Sequence, residues 1–597
     1  MSRLNGLLPA ALARPFTAIG GVLFLIGAML PWVTFLLNDG PYPEKATLQF
    51  FDAPFELTGF RWHVLLLGVA VVVLSFVPLR GRERALRALG FGGLAIGLIT
   101  AIFVTGDGGG LGAITAVDGV YAFGSIVTLV GGILVILGAS ATGLGEIPHW
   151  PDSIFGLTGM AQRLVSWLVL IVAFGAVLWL VAQTLTAGGI GGAAFPYAGG
   201  IFLAFLGFAG GLLGALHGIG LTGWVSRLSE NNRVFSIIVL LACAVLLPFP
   251  FTGAGSQYWM QVAATIGVYA ATAIGLNIVV GLSGLLDLGY VAFMGIGAFV
   301  AANLSGAAAS QLGIDLPFPV AALCAAVVAG IFGAIVGSPT LRVRGDYLAI
   351  VTLAFGEIFT RAAQNNIGDL TGGASAIPGI PQISMFGTAF NEPIEPFGIK
   401  LPPGVLYYFL IVGVVALIMA VFANLKNSRI GRAWIAIRED EDAARAMGIR
   451  TGKMKILAFL VGATLAGLAG SIFVHKLGTA SYDSFKFLES VTLLAAVILG
   501  GMGTIPGAVL GASLLFVLPE KLREFQDYRL FFFGIALILI MRFRPQGIVP
   551  DRVRRAEFAG ETADGRSIEE IEEQRVREQE EAEREHQAPA GPQEGRA

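Results

Sequence analysis

The sequence predicts an all-α, polytopic helical membrane protein, and three observations carry that prediction. Charged residues make up 13% of the 597 and hydrophobic residues 55%, with a mean hydropathy of +0.78. A soluble domain carries about 25% charged residues. The apolar residues gather into runs that recur from Thr17 to Phe543, and a run of roughly 20 residues is what a helix needs to cross a bilayer. Glycine is abundant, at 82 residues, as expected where membrane helices pack closely.

Taken in order, spans are expected near 17–37, 62–79, 88–105, 119–138, 164–185 and 198–222. A second set follows near 235–252, 259–280, 286–304, 317–338, 347–363, 405–424, 456–475, 488–502, 507–519 and 530–543. That is about sixteen spans, the pair around Gly503 being the shortest. Arg3 and Arg14 precede the first run and no small-residue cleavage site follows it, so it reads as a retained span rather than a signal peptide. Three segments are basic: Arg80 to Arg87, the stretch with Arg342 and Arg344, and Lys426 to Lys455. Counting spans places all three on one side together with both termini, and loop Arg and Lys favour the cytoplasm. The loops 38–61 and 106–118 are acidic or neutral and fall on the other side.

Three regions result: a hydrophobic unit of about six spans at 1–233, closed by a polar loop from Arg227 to Arg233, a second unit of about ten spans at 234–550, and a soluble tail at 551–597. The tail has 14 acidic and 8 basic residues. Within it Ser567 and Glu570 form a capping box for a charged helix that ends before Pro589. A solvated extension accounts for it, and a docking role is the other reading. The charge balance offers nothing to nucleic acid. Cys243 and Cys324 lie in apolar spans, which argues against a disulfide framework or a thiolate metal site. His217 and His475 have no ligand-spaced partners and read as structural.

The segment from Arg429 to Lys455 is the most informative. Apolar Trp434, Ile435, Ile437, Ala444, Met447 and Ile449 alternate with Arg438, Glu439, Asp440, Glu441 and Asp442. The pattern predicts a short amphipathic helix stopped by Gly448. Such a helix between two spans lies on the membrane surface or docks in a groove of a partner. Its mixed charge favours the partner, because anionic lipid prefers Lys and Arg.

A second constellation runs through Gly281, Gly284, Asp287, Gly289, Tyr290, Gly295 and Gly297. Each glycine lowers helix propensity by about 1 kcal/mol relative to Ala. A broken helix at membrane depth lines a cavity and can receive a charged solute group; close packing of helices explains the same glycines. Asp287 and Glu357 are carboxylates in or at the ends of apolar runs, each a candidate for the transport path or for a packing role. Arg344 and Asp346 flank Gly345 as a local ion pair or anchor. The stripes Gly462, Ala466, Gly470 and Gly210, Gly214, Gly218 read as packing faces. Gly500 to Gly507 reads as a tight turn between two short spans, and Asn365 to Pro403 as a loop on the side opposite the basic segments.

Several motifs resemble one family. Asp442-Ala443-Ala444 followed by Gly448 is similar to the Glu-Ala-Ala, three residues, Gly motif of ABC importer permeases, with Asp in the first position. Gly281 to Phe299, Arg342 to Ile358, and the stretch from Ser428 through Gly500 to Ala512 resemble the permeases of branched-chain amino acid ABC importers. The likeness covers 234–550; residues 1–233 do not resemble that family's short N-terminus.

The resemblance implies a transport subunit of the bacterial inner membrane that pairs with a second related permease, two ATPase subunits and an extracytoplasmic solute-binding protein, and passes an amino acid. It implies that the segment with Arg438, Glu439, Asp442, Ala443, Ala444 and Gly448 couples to the ATPase; Gly281, Gly284, Asp287, Gly289, Tyr290 and Glu357 are the candidates for the path. The chain has no phosphate loop, so ATP hydrolysis is expected on partner chains. It has no catalytic motif, and no cofactor is called for. A urea or short-amide importer and an ion-driven secondary transporter are the alternatives. A separately folding module at 1–233 is a third possibility.

Overall fold

The computed structural model describes residues 9–30, 33–36, 45–47, 60–104, 119–121, 123–141, 147–148, 150–151, 159–186, 198–252, 254–338, 346–385, 388–395, 398–521, 534, 538 and 547–549. The expectations for Arg342, Arg344 and Gly345, for most of the span at 530–543, and for the tail with Ser567 and Glu570 lie outside the described residues. The described chain is built of helices. Those of the first half are α1 (Ala13–Met29), α2 (Phe60–Phe76), α3 (Arg82–Val104), α4 (Phe123–Ser140), α5 (Gly159–Thr186), α6 (Ala198–Gly218), α7 (Leu221–Asn231) and α8 (Arg233–Leu246). The second half has α9 (Gln257–Asn277), which runs into a π-turn at Ile278–Leu282, then α10 (Val291–Leu304), α11 (Phe318–Gly337), α12 (Asp346–Gln364) and α13 (Val405–Asn427). It ends with α14 (Arg429–Glu439), α15 (Glu441–Ala446), α16 (Thr451–Leu477), α17 (Phe487–Gly500) and α18 (Ile505–Lys521).

Six of these are long and apolar enough to cross a membrane: α4, α5, α9 with its π-turn, α11, α13 and α16. The bent pair α6 and α7 makes a seventh if taken as one span. A helix lies at each other expected position among the described residues, but the expected sixteen are not all full spans. α10 and α17 have 14 residues each, which is about 21 Å at 1.5 Å per residue. The hydrocarbon core is about 30 Å thick.

Two compact units divide the chain: Met1–Ala263 with Phe390–Phe409 and Leu518–Phe532, and Ala264–Ala389 with Leu410–Val517 and Phe533–Ala597. In the first unit α1, α2, α3, α4 and α6 pack through small residues. A Cβ on Gly20 would lie 2.7 Å from the Gly131 carbonyl oxygen, and one on Gly92 3.0 Å from that of Gly207. Phe24 is wholly buried, its ring against Gly93. The stripe on α6 behaves as expected at Gly214 and Gly218, which meet α3, whereas Gly210 faces open space. Arg227 to Arg233 is not a loop. The chain turns by 74° after Gly218, and Leu221–Asn231 forms α7 because Trp224, Val225 and Leu228 have an apolar face to bury against Leu170. Trp150 Nε1 donates to Ile219 O (2.7 Å), Trp224 Nε1 to Pro151 O (3.0 Å) and Arg227 Nη2 to Trp150 O (2.9 Å), which fix the bend. Strands β1 (Val33–Leu36), β2 (Lys45–Thr47) and β3 (Gly119–Tyr121) form a small antiparallel sheet in the order β2-β1-β3, in segments the sequence presented only as loops or span ends.

In the second unit α16 is the central helix. Its glycines let α10 and α11 come to backbone contact on two faces: a Cβ on Gly470 would sit 2.0 Å from Met294 O, and one on Gly467 2.9 Å from Ala325 O. The expected packing stripe of Gly462, Ala466 and Gly470 is therefore buried. His475 is buried and its Nδ1 lies 2.8 Å from Ser471 O.

Candidate functional site

The amphipathic segment folds as two short helices rather than one. Ser428 caps α14, its Oγ accepting from Gly431 N (3.2 Å). α14 stops at Asp440 because that residue is extended (φ −155°) and starts the next helix: its Oδ1 accepts from Asp442 N (2.9 Å) and Ala443 N (3.0 Å). α15 ends as the sequence predicts. Gly448 has φ +86°, a left-handed conformation that favours glycine, and Ile449 N reaches back to Ala444 O. Removing the cap by Asp440→Ala is expected to cost about 1 kcal/mol. Faster amide exchange across Glu441–Ala446 than in wild type, with α14 unchanged, is the measurement that checks it.

The pair is not free to swing. Trp434 is wholly buried and donates from Nε1 to Met454 O (2.7 Å). Glu441 Oε2 meets Lys455 Nζ at 2.7 Å, and Lys455 is itself buried. Both contacts tie the helices to the first turns of α16. The outward residues include Glu439 at the end of α14, Asp442, with its side chain 69% exposed, and Ala443 on α15, and Met447 at the end of α15, which is 84% exposed. Ala444 is buried. A large apolar side chain exposed among charges suits a partner's groove.

Among the remaining candidates, Arg438 points inward. Its Nη1 donates to the Gly281 carbonyl (2.9 Å), and Nε donates to Glu439 Oε1 (3.0 Å). Gly284 has φ +70°, and a Cβ there would lie 2.6 Å from Arg438 Cγ. The structure thus brings together Arg438, Gly281 and Gly284, which the sequence reading had assigned to two separate sites.

The helix breaks where the glycines predict. α9 widens into the π-turn, and residues 283–290 run irregularly to α10. Asp287 is 0% exposed; its Oδ1 accepts from Gly289 N (2.9 Å), and Oδ2 has no hydrogen-bond partner among the described residues. Leu288 N donates to Thr352 Oγ1 (3.1 Å) and Val291 N to Ser490 Oγ (3.1 Å). Gly289 is pressed against α12, where a Cβ would lie 2.0 Å from Thr352 O. Tyr290 is wholly buried and donates to Gly462 O (2.6 Å). Gly295 and Gly297 lie against Phe359 and the Gly467 backbone. Glu357 is exposed on α12, and no hydrogen bond or ion pair joins it to this cluster among the described residues. Cys243 and Cys324 are free thiols.

Sequence reasoning missed Asn277. It is wholly buried, accepts from Gly503 N (2.8 Å) and donates to Thr504 O (2.9 Å). Lys426 Nζ also donates to Gly503 O (2.8 Å). The available signal was a lone amide side chain inside an apolar run. Asn277 and Lys426 hold the turn between α17 and α18, which forms at 501–504 as expected.

Comparison with known proteins agrees with this arrangement. The family described as branched-chain amino acid transport system / permease component matches residues 258–541. The high-affinity branched-chain amino acid transport system permease protein LivM of Escherichia coli (strain K12) is 39% identical over 334 residues, covering 54% of this chain and 76% of that protein. The LivH permease of the same type of system in Salmonella typhimurium is 28% identical over 299 residues, 48% of this chain and 92% of that one. The autoinducer 2 import system permease protein LsrC of Yersinia pseudotuberculosis is 32% identical over 157 residues, 25% of this chain and 45% of its own. No solved structure matches. On the match to LivM over three quarters of that protein's length, together with the broken helix and the two-helix segment between α13 and α16, the chain belongs to the permeases of the branched-chain amino acid transport system family.

Proposed function

We propose that this chain is one of two membrane subunits of an ABC importer for branched-chain or closely related amino acids. It pairs with a second, related permease. Two ATPase subunits act from the cytoplasm, where both termini also lie, and a solute-binding protein delivers the amino acid on the far side of a bacterial inner membrane. The path is opened and closed around the broken helix at 278–290. Nucleotide binding draws the ATPases together and moves the docked helix. Such a change is driven only by a difference in binding free energy between the two states.

One observation carries the reading. α15 is a capped, rigidly tethered helix that exposes Asp442 and Ala443, with Met447 at its C-terminal end, between two membrane helices. An ion-driven transporter has no need of that surface.

The test is co-purification with the ATPase chains of the same cell, followed by uptake in proteoliposomes. Wild type is expected to retain the ATPases and to import leucine, isoleucine or valine only with ATP. Asp442→Arg combined with Gly448→Trp is expected to lose them while remaining monodisperse. Urea, short amides and autoinducer 2 are run beside the amino acids, because similar permeases are named for more than one cargo. ATP-independent uptake by the wild-type chain alone sinks the proposal.

A further inference from the structure

This inference rests on the importer reading and deepens it: we propose that Arg438 is the positioning residue that carries movement of the docked helix into the broken membrane helix, and that it is not part of the surface the ATPase touches.

Exposure separates Arg438 from its neighbours. Its side chain is 12% exposed, against 51% for Glu439 and 69% for Asp442. The reason it turns inward lies in the π-turn. The wide turn leaves the carbonyls of Ile278, Val279 and Val280 bonded to Ser283 N, Leu285 N and Gly284 N. The next carbonyl, of Gly281, receives no backbone N–H among the described residues and takes Arg438 Nη1 instead. A cation is favoured there, since the carbonyl end of a helix carries partial negative charge. The rest of the guanidinium is held by Glu439 through Nε and Nη2. Carbon atoms of Arg438 fill the space where any side chain at position 284 would stand, so polar and packing contacts act at the same place.

Both ends of this link are rigid. On one side α14 is fixed to α16 by Trp434, and α15 by the Glu441–Lys455 pair. On the other, Asn277 sits one helical turn before Gly281 and bonds the α17–α18 turn, which Lys426 also holds. A displacement of α14 therefore pulls on Gly281 or breaks the bond to it. Residues 283–290, with the buried Asp287 carboxylate, continue directly from that point. A fixed planar fork transmits such a pull; a flexible ammonium does so less well.

The experiment uses the full complex in proteoliposomes, comparing wild type, Arg438→Gln and Arg438→Lys. Three quantities are read: retained ATPase subunits, substrate imported per ATP hydrolysed, and amide exchange over 278–290 with and without a trapped nucleotide state. Arg438→Gln is expected to keep its ATPases and hydrolyse ATP within about twofold of wild type, while import per ATP falls at least tenfold. The nucleotide-dependent exchange change at 278–290 is lost with it. Arg438→Lys, which keeps a donor and the charge, falls between the two. Import per ATP equal to wild type in Arg438→Gln overturns the proposal. So does loss of the ATPases from that variant, which makes Arg438 a docking residue. Should Arg438→Gln fail to assemble as a folded chain, Arg438→Lys decides: a lowered import per ATP with ATPases bound supports the link, and an unchanged ratio rejects it. A wild-type complex that imports without ATP removes the importer reading itself, and this one with it.

Discussion

Gly500→Val is expected to cost about 3 kcal/mol of stability and to leave little folded protein. The α17–α18 hairpin is closed by backbone meeting backbone. A Cβ at 500 would lie 1.8 Å from the Gly507 carbonyl oxygen and 2.5 Å from its carbon. One helical turn on, a Cβ at 511 would lie 1.9 Å from Ala496 O. No flexible side chain is present at these contacts to swing aside, so the helices themselves must separate. Separation exposes the seam and pulls on the 501–504 turn that Asn277 and Lys426 hold. Thermal melting in detergent with size-exclusion profiles measures the effect. Gly413→Val is the matched control, because nothing lies within 4 Å of a Cβ there. Equal melting of the two variants would falsify the backbone-contact account.

Asn277→Leu is the second large expected effect. Leu has the branching and side-chain heavy-atom count of Asn with bulkier ends, so the change removes hydrogen bonds and opens no void. It strands the buried Gly503 N–H, and an unpaired buried group costs roughly 1–3 kcal/mol; the Thr504 carbonyl keeps its bond from Ala508 N (3.3 Å). The Thr504 side chain still bonds Gly501 O (3.0 Å) and Val549 O (2.9 Å), so the turn loosens rather than unfolds. The expected outcome is a lower melting temperature together with faster amide exchange at 501–504. Import should fall more than stability does, because α9 is no longer held to the turn that Lys426 of α13 still binds. Asn277→Ser, which keeps a donor and an acceptor on a shorter arm, should recover part of both losses. A variant with normal exchange at 501–504 would show that the turn holds its shape without Asn277.

Much of this was legible in local sequence. The stop at Gly448 and the turn after Gly500 were each read from glycine at a defined place, and both formed there. The break after Gly281 was visible because three glycines within nine residues, Gly281, Gly284 and Gly289, do not favour helix. The division of the Arg429–Lys455 segment was not legible. Asp440 lies inside a run of charges that fits a continuous amphipathic helix, and only its capping geometry ends one helix and begins another. The direction of Arg438 was hidden for a related reason: it stands beside Glu439 in a charged run, and charged runs ordinarily face water. Glu357 shows the reverse case. An acidic residue in an apolar span suggested the path or a packing role; it stands exposed on α12, next to Gly356, which packs on Gly289.

What the sequence determined by itself was the class of molecule. Apolar runs long enough to cross a bilayer, a charged segment between two of them and glycine-rich breaks are local properties, and they suffice for a polytopic helical membrane protein with an amphipathic segment between two of its helices. What only the tertiary structure decided was which of these features meet. Arg438 and Gly281 are 157 residues apart, and Asn277 and Gly503 are 226 apart. Their pairing depends on how α9, α14 and α16 pack, which no periodicity records, and on a carbonyl that becomes available only when a helix widens by one residue.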